Sequence, residues 1–144
     1  MKKIVLGAAA LASCIASGAV MAQGRPYKEG PVTDISYIRT KDGHFEDYMK
    51  FLDGPYKTLM EAQKKAGLIV EYHVYGAEPK NPHEPDILLT TTYANMAALD
   101  RVEDMIALSE KVAGTIEKQE KEASDRGPIR EVLGSELVRE LILK

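Results

Sequence analysis

Residues 32–67 read VTDISYIRTKDGHFEDYMKFLDGPYKTLMEAQKKAG, and this stretch decides the fold. In its first part, residues 32–40, side chains follow a two-residue alternation between faces, and many of them are β-branched or aromatic. Both features predict a strand. Apolar residues then recur at three- and four-residue steps over 44–66, which is the period of a helix. A second apolar run follows directly at 68–75. The sequence therefore predicts a strand–helix–strand unit.

The helical pattern is interrupted once, by Asp53-Gly54-Pro55, and it ends at Gly67. Pro55 has no N–H to donate and its ring clashes with the carbonyl of Phe51, so we expect a kink or two abutting helices there. Gly67 suits the left-handed position that commonly ends a helix. One side of the helix carries a continuous apolar stripe, which consists of Phe45, Tyr48, Leu52, Leu59, Ala62 and Ala66.

The chain beyond this unit predicts one more strand and a second helix. The run at 68–75 is the second strand, a proline-containing loop occupies 76–85, and residues 87–93 are the third strand. Asn95 is placed to cap the second helix with its side chain. The stripe that this helix is expected to bury consists of Met96, Leu99, Val102, Ile106 and Ala113.

The C-terminal part of the sequence allows two interpretations. Residues 117–126 are strongly charged and predict a solvated continuation of the second helix after a break at Gly114. The apolar residues that follow fit either a helical stripe or a final strand buried on both faces. We favour a short helix to Leu133, a break at Gly134-Ser135 and a strand over 137–143, because the order βαββα otherwise lacks its closing strand.

The first 22 residues have the pattern of a secretory signal peptide. Two lysines precede an apolar segment that is too short and too rich in alanine and glycine for a membrane span, and small residues lead to Ala22. We expect export to the periplasm or the medium after cleavage near Ala22. The mature chain then consists of an extended arm at 23–31 and one α+β domain at 32–144.

A rival interpretation places the mature protein on a membrane by a lipid anchor. Residues 11–14, LASC, resemble a bacterial lipobox, in which Cys14 is lipidated after cleavage. The residues after Cys14 stay apolar as far as Ala22, whereas a lipoprotein usually continues into a polar tether. The signal peptide is therefore our first interpretation and the lipoprotein our second.

Charge and cysteine content exclude several classes of partner. The chain has 19 basic and 22 acidic residues, a formal net charge of −3, and no basic run. Nucleic acid and anionic membrane surfaces are therefore not expected partners. Cys14 is the single cysteine, and cleavage near Ala22 removes it, so the mature chain has no disulfide and no thiolate for catalysis or metal binding.

Neither a metal nor a cofactor is expected from the motifs. The three histidines, His44, His73 and His83, lack the spacing of a metal site. There is no phosphate-cradling glycine-rich loop and no dinucleotide fingerprint. There is also no G-x-S-x-G motif that would expose a nucleophilic serine.

The order βαββαβ, together with several short motifs, resembles the dimeric α/β-barrel superfamily of ferredoxin-like domains. The motifs are ISYIR at 35–39, YMKFL at 48–52, PYK at 55–57, QKKAG at 63–67 and REL at 139–141. The chain is similar to exported bacterial members of undescribed function. The resemblance implies a four-stranded antiparallel sheet with helices on one face. It also implies a homodimer whose two sheets meet face to face, and a pocket between sheet and helices in each subunit.

The second strand supports a dimer independently of the resemblance. Val70, Tyr72 and Val74 alternate with His73 and Tyr75, so neither face of this strand is clearly polar. A sheet covered by helices on one face alone should show cleaner polar alternation. A second copy of the chain is the simplest layer to cover the other face.

The candidate site residues are histidine, tyrosine and arginine side chains on the predicted strands and first helix. Seven tyrosines against two phenylalanines and no tryptophan suit a pocket with apolar walls and a few polar groups. His73 lies between Glu71 and Tyr75 on one face and is the first candidate for a general base, with His44 the second. The candidate ligand-binding residues are Tyr37, Arg39, Tyr48, His73 and Tyr75.

Three functions are compatible with this pattern. The first is an exported homodimer that binds a small organic ligand. The second is a cofactor-independent enzyme of the same fold, with monooxygenase-like or proton-transfer chemistry on a small aromatic or keto compound. The third is a structural envelope protein without a ligand. Superfamily members include monooxygenases, haem-degrading enzymes, isomerases and decarboxylases, so the fold does not choose between these functions.

Overall fold

A computed structural model describes residues 24–144, so the predicted signal peptide and Cys14 lie outside the described residues. The strands are β1 (Tyr27–Thr40), β2 (Glu71–Gly76), β3 (Ile87–Tyr93) and β4 (Arg130–Leu143). The α-helices are α1 (Phe45–Phe51), α2 (Lys57–Lys65), α3 (Val102–Ala113) and α4 (Ile116–Asp125). A π-helical turn (Leu52–Tyr56) joins α1 to α2, and a 3₁₀ turn (Met96–Asp100) precedes α3. The predicted α+β order, βαββαβ, is confirmed.

The four strands form one antiparallel sheet in the order β2-β3-β1-β4. The helices pack on one side of it, which we call the helix face. Its core joins Ile38 of β1 and Ile87 of β3 to Tyr48 and Leu52, each no more than 3% exposed. Side chains alternate between faces along each strand, so the neighbours of Ile38 lie on the opposite, open face.

The break predicted at Asp53-Gly54-Pro55 takes the form of a widened turn within a continuous helix. The N–H of Lys57 bonds to the carbonyl of Leu52, five residues back, instead of four. This wider spacing accommodates Pro55, which cannot donate to the helical ladder. The hydroxyl of Thr58 donates to the freed carbonyl of Gly54 at 2.9 Å.

The two outer ends of the chain differ from the prediction. The first strand begins at Tyr27, within the segment expected as an arm, because Tyr27 pairs with Leu143 at the far end of β4. The prediction of a short helix to Leu133 was wrong, since Val132 pairs with Ile38 of β1 and belongs to β4. The local sequence fits a helix and a strand about equally well here, and long-range pairing with β1 selects the strand. At Gly134 the ladder shifts register in a bulge instead of ending.

The second helix was predicted as one element with a buried stripe, and both parts of this prediction need correction. Asn95 caps the 3₁₀ turn through the N–H of Ala98, and the helix proper starts at Val102. The predicted break at Gly114 separates α3 from α4. Val102 is 52% exposed and Ile106 is 43% exposed, because α3 lies at the edge of the helical layer. Within residues 24–144, no helix has the length and apolar character needed to cross a membrane.

Candidate functional site

Four of the five predicted ligand-binding residues lie on the open face of the sheet. Tyr37 of β1 and Tyr75 of β2 flank the same β3 residue, Leu88, in the register of the sheet. His73 lies one pair along β2, opposite Thr90. Arg39 follows Tyr37 by two positions on β1. The pairing of β1 and β2 with β3 therefore brings these side chains to one surface.

The polar groups of this surface already have partners within the chain. Arg39 forms a 2.6 Å ion pair with Glu131, and the hydroxyl of Tyr37 donates to Glu136. That carboxylate raises the pKa of Tyr37. His73 lies 3.4 Å from Glu71, as expected for a carboxylate-oriented histidine, but its side chain is 49% exposed. A ligand on this face would have to displace existing pairs.

Tyr48 and His44 lie apart from this group. Tyr48 is 2% exposed in the core on the helix face, so the thickness of the sheet separates it from the other four candidates. His44 precedes α1, with its Nδ1 3.1 Å from Asp47 at the surface. The candidate residues thus occupy three places.

A groove of about 680 Å³ is lined by the turn after β1 and by the loop before β3. Two of its acidic side chains are engaged within the chain. Asp86 accepts hydrogen bonds from the backbone and hydroxyl of Thr40, and Glu84 accepts one from Asn81 at 2.7 Å. Part of the polar lining of this groove is therefore already used inside the protein.

Two smaller clefts on the helix side meet at Tyr56, which lines both. One, of about 210 Å³, lies between the π-helical turn and the α3–α4 region, and the other, of about 150 Å³, opens toward β2. The first is lined by Phe51, Pro55, Tyr56, Leu59, Ala113, Gln119, Glu122 and Arg126. Its walls combine aromatic and aliphatic carbon with a few polar ends, which is the usual character of a small-molecule site.

Tyr56 carries an unsatisfied group at this junction. Its hydroxyl is buried and forms no hydrogen bond of good geometry with any residue in the described range 24–144, although the side chain of Thr91 lies near enough to affect its pKa. Burial raises the pKa of Tyr56 to about 12, and a hydrogen-bonding contribution from the side chain of Thr91 lowers it by a smaller amount. A buried phenol normally finds a partner, so this oxygen is available to one that binds in the cleft.

Asp34 is an acidic residue on the helix face, among tyrosines. It follows Val32 by two positions on β1 and pairs in register with Thr91 of β3. Burial raises the pKa of Asp34, and its charge in turn raises the pKa values of Tyr56 and Tyr93. A carboxyl that is held partly away from water without a cation is typical of functional sites.

Asp34→Asn is expected to stabilise the protein at neutral pH, by up to about 1 kcal/mol since the site is partly solvated. The folded pKa of Asp34 lies above its ordinary 3.8, so its contribution to stability is greatest at low pH and falls as pH rises through the folded pKa. Urea unfolding at pH 7 and pH 3 measures this. The gain in the free energy of unfolding should disappear at pH 3. The control Asp100→Asn, at an exposed carboxylate, should show no gain at either pH. A loss of stability at pH 7 would contradict the assignment.

Arg126 and Arg130 complete the helix-side group. The guanidinium of Arg126 lies 4.0 Å from the ring centre of Phe51, and that of Arg130 lies 5.9 Å from the ring centre of Tyr48. Burial and the charge of Arg130 together lower the pKa of Arg126. Both cations lower the pKa of Tyr48, although burial, which raises it, is the larger effect.

Sequence reasoning missed Asp34, Arg126 and Arg130 as site residues. A signal for Asp34 was present, because it interrupts the side of β1 that otherwise carries Val32 and Ile38. The two arginines had no comparable signal, since they fall in and just after a highly charged stretch. Among the described residues, no group of three or more histidine, aspartate or glutamate side chains is arranged to hold a metal ion.

No protein-family model matches this sequence, and no curated protein matches it. Solved structures do. A protein from Shewanella oneidensis is 13% identical with a TM-score of 0.51, over 81% of this chain and 98% of that one. A dimeric ferredoxin-like protein from an uncultured marine organism is 14% identical with a TM-score of 0.50, over 81% and 90%. HapK from Hahella chejuensis is 18% identical with a TM-score of 0.46, over 76% and 91%.

The fold is ferredoxin-like. The strand order β2-β3-β1-β4 with all neighbours antiparallel agrees with the two matches at TM-scores of 0.51 and 0.50. Identities of 13% and 14% carry the fold and nothing about a ligand. What the chain binds must be argued from its own side chains.

Proposed function

We propose that this chain is an exported protein that binds a small organic molecule in the clefts around Tyr56. The observation that carries the proposal is the buried hydroxyl of Tyr56, which forms no hydrogen bond of good geometry within residues 24–144 and lies where two clefts meet. Leaving such a group unpaired costs about 1–3 kcal/mol, which a ligand with a polar atom recovers. The export part rests on the signal-peptide pattern of residues 1–22.

The π-helical turn provides the shape of the site. Pro55 and Tyr56 both belong to this turn, and both line the larger cleft. A regular α-helix through these positions would orient the two side chains differently, because each residue of a π-turn rotates less about the axis. Such turns occur frequently at functional sites. The irregularity that Pro55 imposes therefore supports a binding role for this part of the chain.

We also propose that the protein is a homodimer joined through the open face. That face carries exposed apolar side chains next to its paired polar groups: Tyr75 is 51% exposed, Val138 40% and Ile142 44%. Exposed apolar area on a sheet is characteristic of an association surface. In this arrangement the helix-side clefts stay open, because the partner covers the opposite side of the sheet.

Native mass spectrometry of the protein purified from its own source tests binding and export together. The expected spectrum shows a dimer that retains a small organic molecule and whose chains begin at Gln23. Ala113→Phe should fill the larger cleft and abolish retention, whereas Ala107→Phe, on the exposed side of the same helix, should not. Retention that is equal in both variants would place the ligand elsewhere, and chains that still carry residues 1–22 would contradict export.

A proton-transfer enzyme is the second candidate, and Asp34 favours it. Its raised pKa brings the carboxyl closer to the working range of a general acid or base, and it faces the tyrosines of the same side. If the retained molecule is turned over, Asp34→Asn should abolish turnover while leaving retention intact. Turnover that survives this substitution would leave binding as the function.

A further inference from the structure

We propose that the ligand is a small organic anion, a single-ring or short-chain carboxylate, whose charged end is bound by Arg126 and Arg130. This inference rests on the proposed binding function and adds the chemical class of the ligand.

Arg126 and Arg130 differ from the other arginines in having no acidic partner. Ion pairs with carboxylates at 2.6–3.1 Å are formed by the other four, Arg25, Arg39, Arg101 and Arg139. Within residues 24–144, neither Arg126 nor Arg130 has a carboxylate oxygen within 4.0 Å, and the Nε atom of each is buried without a hydrogen-bond partner. Both side chains are half-buried, but a buried N–H normally has an acceptor, so these two Nε donors lack one.

The chain positions the two cations side by side. Arg126 ends α4, Arg130 starts β4, and the backbone N–H of Arg130 bonds to the carbonyl of Arg126 at 3.1 Å. Their guanidinium groups lie against Phe51 and Tyr48, whose rings stack with centres 5.7 Å apart. The aromatic faces compensate part of the lost hydration. Arg130 also contributes a hydrogen bond to Tyr48, whereas the buried Nε–H of each arginine has no partner among residues 24–144 and can donate to a carboxylate, which guanidinium binds in a bidentate way.

The neighbouring acid does not fill this role. Glu122 lines the same cleft, but its carboxylate lies 3.6 Å from the ammonium of Lys118 and outside ion-pair distance of Arg126. The amide of Gln119 is also engaged, because it donates to the carbonyl of Gly114 and accepts from Ser109, both at 2.6 Å. The charged groups of the cleft are therefore the guanidinium of Arg126 and the carboxylate of Glu122, whose charge raises the pKa of Arg126, and the hydroxyl of Tyr56 is a further polar group.

The space limits the size of the anion. The cleft beside Arg126 measures about 210 Å³, and its apolar wall is formed by Phe51, Pro55 and Leu59. An apolar cavity of about 150 Å³ is large enough for benzene in a protein interior. One aromatic ring, or an aliphatic chain of similar volume, therefore fits with a carboxylate directed at Arg126, which lines the cleft and adjoins Arg130 through its backbone.

The test uses single-ring carboxylates and the corresponding primary amides, which share shape and differ in charge. Binding to the full mature protein is measured by chemical-shift perturbation and calorimetry. We expect the acids to bind, the amides to bind at least tenfold more weakly, and Arg126→Gln or Arg130→Gln to weaken the acids by about tenfold to a hundredfold. Arg101→Gln, at an exposed arginine, is the matched control and should change nothing. Glu122→Gln should tighten the acids, because it removes a nearby negative charge.

The possible outcomes distinguish a failure of the anion proposal from a failure of the proposed binding function on which it rests. Acids and amides that bind equally well at the cleft would overturn the anion and leave small-molecule binding in place. If neither the acids nor the amides bind, while the protein purified from its own source retains a neutral molecule, the proposal of an anionic ligand also fails. If nothing binds and nothing is retained, both proposals fail. Inorganic phosphate that binds as tightly as the acids would show an anion site without selectivity for an organic body, which contradicts the proposal. Thermal unfolding of each variant identifies loss of fold.

Discussion

Leu88→Arg is expected to convert the proposed homodimer into folded monomers. Leu88 lies in the middle of the open face, between Tyr37 and Tyr75 in register, and it is partly exposed in the single chain. Its side chain contributes to neither the core cluster nor the clefts on the helix face. The arginine therefore costs the single chain little, whereas in the dimer it is buried without a partner.

The size of the effect follows from symmetry. In a two-fold dimer each substitution appears twice in the same interface. An unpaired buried charge costs roughly 3–5 kcal/mol, so the two copies together raise the dissociation constant by at least about ten-thousandfold. Sedimentation velocity from nanomolar to high micromolar concentration measures this directly.

The matched control is Val102→Arg, which makes a similar change at a residue of α3 that is 52% exposed. It should leave the dimer intact, because α3 lies in the helical layer on the other side of the sheet. A wild-type protein that sediments as a monomer at micromolar concentration would remove the dimer proposal. A dimer that survives Leu88→Arg but dissociates in Val102→Arg would move the interface to the helices.

The parts of the fold that sequence predicts well are those whose local pattern has one solution. The β-branched run of β3 gave the bounds Ile87–Tyr93 correctly, and Gly67 and Gly114 both adopt positive φ, 66° and 92°, where helical segments end. The segment before Gly134 was different. Its apolar residues fit a helix or a strand, and pairing with β1, some ninety residues earlier in the chain, selects the strand. Such a choice depends on contacts that a local pattern does not contain.

The candidate site was harder to predict for a related reason. Alternation predicted which residues share a face within one strand, such as Tyr37 with Arg39, but which faces of different strands coincide depends on the pairing of the sheet, and a face becomes a site only through what covers it. The charge of Arg126 looked like part of a solvated surface, because sequence does not tell which arginines find a carboxylate. Packing of α4 against Phe51 makes Arg126 distinctive. Tyr48, predicted to contact a ligand, instead lies in the core.

Tyr48→Ala is expected to lower the free energy of unfolding by about 3–5 kcal/mol, as for other large aromatic side chains removed from a core. Tyr48 is 2% exposed, packs with Ile38, Leu52 and Ile87, and supports the guanidinium of Arg130. The free energy of unfolding of a domain of this size is only about 5–15 kcal/mol, so a large share of its stability depends on this ring.

Tyr48→Phe separates the ring from its hydroxyl. The ring accounts for the packing, so the phenylalanine variant should stay within about 1 kcal/mol of wild type in urea unfolding. It should also bind the single-ring acids nearly as well, because the arginines keep the aromatic surface against which they lie. If the alanine variant loses less than about 1 kcal/mol, Tyr48 is not a core residue. If the phenylalanine variant keeps full stability but loses the acids, the hydroxyl itself contacts the ligand, and Tyr48 returns to the binding site that its position in the sequence first predicted.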